Sequence, residues 1–107
     1  MIKKTVWLSF DLAVGGDYEN LYAWLDDHEA KECGDGLAMI EFDADGDFHD
    51  ALKEDLTKQV NFSKKDRVYA VWREADKTKG RFLVGKRKFA PWEGYGTRNQ
   101  VEDVEVC

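Results

Sequence analysis

The chain has 107 residues, of which 43% are hydrophobic, 13% aromatic and 36% charged, with a single proline. That length builds one globular domain, and the aromatic content argues against an intrinsically disordered, collagen-like or coiled-coil chain. The longest apolar runs, Leu21 to Leu25 and Leu37 to Ile40, fall far short of the roughly 18–20 residues of a membrane-spanning helix, so no bilayer crossing is expected. The apolar stretch after Lys3 and Lys4 is interrupted by Ser9 and Asp11 with no small-residue cleavage site, which makes a cytoplasmic location the expectation.

The net charge of -6 conceals a division along the chain. Residues 1–62 hold 5 basic and 15 acidic residues, residues 63–92 hold 10 basic and 3 acidic, and residues 93–107 hold 1 basic and 4 acidic. Such a molecule can neutralise itself internally, associate head to face, or offer its basic segment to phosphate or to an acidic partner. Two cysteines, Cys33 and Cys107, make neither a disulfide framework nor a zinc set and read as reduced thiols. Asn61-Phe62-Ser63 fits the glycosylation pattern, but with no secretory signal it is taken as chance.

From Thr5 to Leu12 the residues alternate, placing Val6, Leu8, Phe10 and Leu12 on one face of a strand and Trp7, Ser9 and Asp11 on the other. Gly15 and Gly16 end it, and Asp17 caps a helix in which Tyr18, Leu21, Tyr22 and Leu25 recur at helical spacing up to about His28 or Glu29. Lys31–Cys33 and Leu37–Asp43 flank Gly34-Asp35-Gly36 as a hairpin. An acidic turn then leads into a second amphipathic helix carrying Phe48, Ala51, Leu52, Leu56 and Val60. Arg67–Arg73 and Arg81–Lys86, separated by the polar stretch 76–80, form a second hairpin, with Phe82 and Val84 expected in the core.

This order predicts an α+β, ferredoxin-like βαββαβ domain over residues 1–92, with two helices on one face of a mainly antiparallel sheet and one extra C-terminal strand. Residues 93–107 follow as a tail or edge strand. Trp7 and Ser9 would lie on the sheet face that the helices leave open, and a tryptophan there favours cover by a second copy, so a homodimer interface is expected at these two residues.

Four constellations bear on chemistry. Asp11 ends the first strand, where a carboxylate holds a divalent cation or caps the following loop; as a ligand it needs partners, which a second Asp11 across a dimer axis would supply. Asp43, Asp45, Asp47 and Glu54 reproduce calcium-loop offsets, yet Phe48 stands where the loop needs glycine, so a helix cap is preferred. His28 and His49 neighbour carboxylates without metal or triad spacing and read as surface residues. Lys77, Lys79, Arg81, Phe82, Lys86, Arg87, Lys88, Phe89, Trp92 and Tyr95 interleave cations with aromatics, as surfaces for single-stranded nucleic acid do, and Lys79, Arg81, Lys86, Arg87, Lys88 and Trp92 are the expected binding residues.

The strand end Ser9-Phe10-Asp11-Leu12, with its following helix, early hairpin and fifth strand, resembles the small ferredoxin-like CRISPR-associated endonucleases of the adaptation complex. It also resembles the ferredoxin-like type V antitoxin that cleaves messenger RNA. The likeness extends over residues 3–87 as topology and over four residues as motif. It implies a homodimer, RNA or DNA as partner, Asp11 as metal ligand and catalytic residue, and magnesium as cofactor. The very acidic first half departs from it, because such a surface repels a phosphate backbone. The leading expectation is a small, dimeric, non-catalytic binding or regulatory module. A metal-dependent nuclease built on Asp11, and an acidic decoy that occupies a basic, nucleic-acid-binding protein, stand beside it.

Overall fold

The computed structural model describes residues 2–97. Its elements are β1 (Ile2–Asp11), α1 (Tyr18–Asp27), β2 (Lys31–Gly34), β3 (Leu37–Ala44), α2 (Phe48–Gln59), β4 (Arg67–Glu74) and β5 (Lys77–Val84). The strands form one open antiparallel sheet in the order β2-β3-β1-β4-β5, compatible with a ferredoxin-like arrangement. The region expected as tail or edge strand falls largely outside the described residues.

Alternation in β1 decides the layering. Val6 pairs with Ile40 of β3 and Trp72 of β4, and Leu8 with Ala38 and Ala70; all six are buried on one face. Leu21, Trp24 and Leu25 of α1 and Phe48, Leu52 and Leu56 of α2 close over that face. In α2 the stripe at helical spacing is the side that leaves water, whereas in α1 the stripe is corrected at one position: Tyr22 is 56% exposed and Trp24, outside the stripe, is fully buried. The two helices are tied where Trp24 Nε1 donates to Asp55 Oδ2 at 2.9 Å.

The caps are built from carboxylates. Asp17 accepts from the Asn20 amide at the start of α1, and Asp47 accepts from the Asp50 amide at the start of α2. Asp43 is thus part of β3 and Asp47 a helix cap, so the acidic run is a strand end and a cap in place of a cation loop. At the end of α1, Glu29 takes a left-handed φ of 54°, while Glu29 N–H reaches Asp26 O and Ala30 N–H reaches Leu25 O, a Schellman closure without glycine.

Three further expectations are corrected. β5 begins at Lys77 and not at Arg81: the hairpin turns on Ala75-Asp76 alone, with Glu74 paired to Lys77. Phe82 pairs with Tyr69 on the open face, because a register shift between Val68 and Tyr69 lets Leu83 take the core position. His49 is not a surface residue; it is 7% exposed, its ring centroid lies 6.4 Å from that of Trp72 with the planes 29° apart, and its Nε2 donates to the Phe82 carbonyl at 3.0 Å.

Candidate functional site

The face away from the helices carries Thr5, Trp7, Ser9 and Asp11 of β1, flanked by Leu37 and Met39 of β3 and by Arg67, Tyr69 and Val71 of β4. Trp7 is 38% exposed, between Met39 and Val71. On β5, Gly80 leaves this face bare, and the Tyr69 phenol lies across it so closely that a β-carbon there would strike the ring. Tyr69 meets Phe82 edge to face at 4.8 Å.

Beyond β5 the chain folds back over the corner of this face. Gly85 makes the bend at φ 78°, and a β-carbon there would lie 2.5 Å from the Asp66 carbonyl oxygen. Two tight turns follow, closed by Glu93 N–H to Ala90 O and by Tyr95 N–H to Trp92 O. The result is a hollow of about 400 Å³ walled by Arg67, Tyr69, Phe82, Arg87 and Trp92, with Ser9 and Asp11 at its base. Trp92 is 71% exposed, so its ring is free to stack on a ligand.

Asp11 is the one carboxylate in this hollow, and it pairs with Arg67 Nη2 at 3.1 Å across the β1–β4 register. Both groups keep contact with water, so the pair contributes at most about 1 kcal/mol and a ligand anion can compete for the guanidinium. Asp11 does not cap the following loop. That task belongs to Asp66, which no sequence pattern singled out: its Oδ1 accepts from Ala13 N–H and its Oδ2 from Ser63 N–H, both at 2.7 Å. Burial pushes the Asp66 carboxyl up, but the Ser63 and Ala13 amides outweigh it and hold the group below its ordinary value of 3.8. Asp17 is held low as well, chiefly by the Asn61 amide and then by the Asn20 side chain.

The hollow brings together Ser9, Asp11, Arg87 and Trp92. Lys79 and Arg81 stand apart from it: they pair with Trp72 and Ala70, whose side chains face the helices, so both cations lie on the other side of β5. Lys86 and Lys88 flank Arg87 and are exposed. Arg67, Tyr69 and Phe82 were missed as site residues; alternation in β4 offered the first two, but Phe82 depended on the register shift.

Among the described residues, one group of three potential metal ligands lies together, Asp47, His49 and Asp50. His49 Nε2 is used by the Phe82 carbonyl and its Nδ1 lies 3.2 Å from Asp50 Oδ1. Against a cation stand the Asp47 carboxylate, already engaged by the Asp50 amide, and the positive end of the α2 dipole, which points at the cluster.

No family model, curated protein or solved structure matches this chain.

Proposed function

We propose that the protein is a non-catalytic binding module of ferredoxin-like βαββαβ topology, with β5 as the added strand, whose open sheet face takes up single-stranded nucleic acid. The observation that carries this reading is the hollow in which Arg67 and Arg87 stand among Tyr69, Phe82 and Trp92. Two guanidinium groups suit phosphate, and an exposed indole suits an unpaired base, which a duplex cannot offer. The acidic first half does not cancel this. Apart from Asp11, its carboxylates lie on the helices, which cover the other face of the sheet, and on the β2–β3 hairpin, at the opposite edge from Lys86, Arg87 and Lys88.

A second, competing use of the same face is a homodimer centred on Trp7, which would cover Ser9 and Tyr69 of the hollow. A two-fold axis running along β1 lays β3 of one copy over β4 of the other, so Met39 meets Val71 and Glu41 meets Arg73. Glu41 is paired with Thr5, and Arg73 lies one residue beyond the Val6–Trp72 pair, so the two charges sit at equal height on either side of β1.

The test is a titration of labelled single- and double-stranded RNA and DNA, with and without magnesium, at two salt concentrations. Single strands are expected to bind, more weakly at higher salt. Arg87→Ala should lower the salt dependence by about one released counterion, and Trp92→Ala should weaken binding about 5- to 100-fold. Equal binding by both variants would remove the hollow as the site. Magnesium-dependent cleavage that is lost in Asp11→Asn would replace this reading with the nuclease.

A further inference from the structure

The far edge of the sheet holds a second recess, between α1 and the β2–β3 hairpin. We propose that it docks an extended, arginine-bearing segment of a basic protein, paired to the free outer edge of β2. The recess has a volume of about 380 Å³, with an apolar floor of Phe10 and Leu25, Tyr22 on one wall, and Asp26, Glu32 and Asp35 around the rim. Lys31 is the one cation that lines it, so the rim carries a net negative charge.

Each part of the recess selects for the same occupant. The Phe10 and Tyr22 rings meet edge to face at 6.4 Å, and Tyr22 is 56% exposed, which leaves a ring surface for a guanidinium to stack on. The aliphatic stem of an arginine covers Phe10 and Leu25, while its head reaches the Asp26 and Glu32 carboxylates. Three carboxylates repel nucleic acid and acidic peptides, which distinguishes this edge from the hollow at the other. Backbone recognition comes from β2 itself. It is the terminal strand of the sheet, four residues long, and it pairs only with β3 among the described residues. A β-carbon built on Gly34 would meet nothing within 4 Å, so an incoming backbone has room to approach. An extended segment added there projects alternate side chains toward the recess, and its main-chain hydrogen bonds supply an affinity that a loose polycation lacks.

The experiment measures fluorescence anisotropy of a labelled octapeptide of alternating threonine and arginine, against its threonine–glutamate counterpart and against the arginine peptide N-methylated at alternate amides. Amide shifts in the nitrogen–proton spectrum of the full chain locate the contact. The arginine peptide should bind and the glutamate peptide should not. N-methylation should weaken binding about tenfold, as expected when main-chain hydrogen bonds are lost. Asp26→Asn with Glu32→Gln, both at exposed positions, should do the same, while Arg87→Ala leaves it unchanged. Shifts should concentrate at Tyr22, Glu32 and Gly34. Equal binding of the N-methylated peptide, shifts spread over the acidic helix faces, or no binding would overturn the proposal. Because the sites are at opposite edges, loss of RNA binding leaves this outcome untouched.

Discussion

Asp66 joins two loops through one carboxylate. It receives amides from Ala13, after β1, and from Ser63, after α2, and its own N–H returns to the Ser63 carbonyl. Asp66→Ala leaves both donors unsatisfied where the native residue is fully buried. A loss of about 2–4 kcal/mol in urea unfolding is expected, from hydrogen bonds to a charged group plus desolvated amides. The pH dependence has a definite sign. The folded carboxyl lies below its ordinary 3.8, so its contribution is complete above that value and disappears as pH falls through the lower folded value. Asp17 acts in the same direction. The urea midpoint of the native protein should therefore drop as pH falls below 3.8, and Asp66→Asn, less stable at neutral pH, should show a smaller drop. An equal acid drop in the variant would mean that Asp66 is not the group titrating.

At the scale of elements, the β4–β5 hairpin is closed by residues unsuited to their backbone. Ala75 and Asp76 hold φ values of 49° and 68°, the two left-handed positions of a turn that favours Asn-Gly. Replacing Ala75-Asp76 by Asn-Gly should raise stability by about 1 kcal/mol, read as a higher urea midpoint at unchanged slope. The same hairpin shows where sequence reading succeeds and where it stops. β1, β3 and β4 were legible because each alternates against a buried face, and both helices because their apolar residues recur at helical spacing. Lys77-Thr78-Lys79-Gly80 carries no such signal, since an edge strand beyond the helices is exposed on both faces there. Phe82 was assigned to the core by alternation, which a one-residue register shift reverses. Among site residues, Ser9, Asp11, Arg87 and Trp92 were singled out from separate patterns. Their meeting in one hollow was not legible, because it depends on how the chain bends at Gly85. Asp66 sits in a polar run without periodicity, and only tertiary hydrogen bonding reveals its role.

At the scale of the whole molecule, the segregation of charge along the chain becomes a segregation in space, because the sheet order puts the acidic β2–β3 hairpin and basic β5 at opposite edges. Like charges are thereby gathered at each edge, which gives the two edges fields of opposite sign. If two copies meet face to face about an axis along β1, Glu41 of each lies opposite Arg73 of the other, and each such contact occurs twice. Glu41→Arg then places like charges together at two points, and light scattering at fixed concentration should show a mass shifted toward the monomer. Arg73→Glu should do the same, while the double exchange restores the native mass, since the pairs are rebuilt with reversed sign. Restoration separates a direct contact from a general effect of net charge, which Glu41→Arg and Arg73→Glu change in opposite directions. If the single variants keep the native mass, the open face is not joined in this register, and Trp7 stays available to the ligand proposed for the neighbouring hollow.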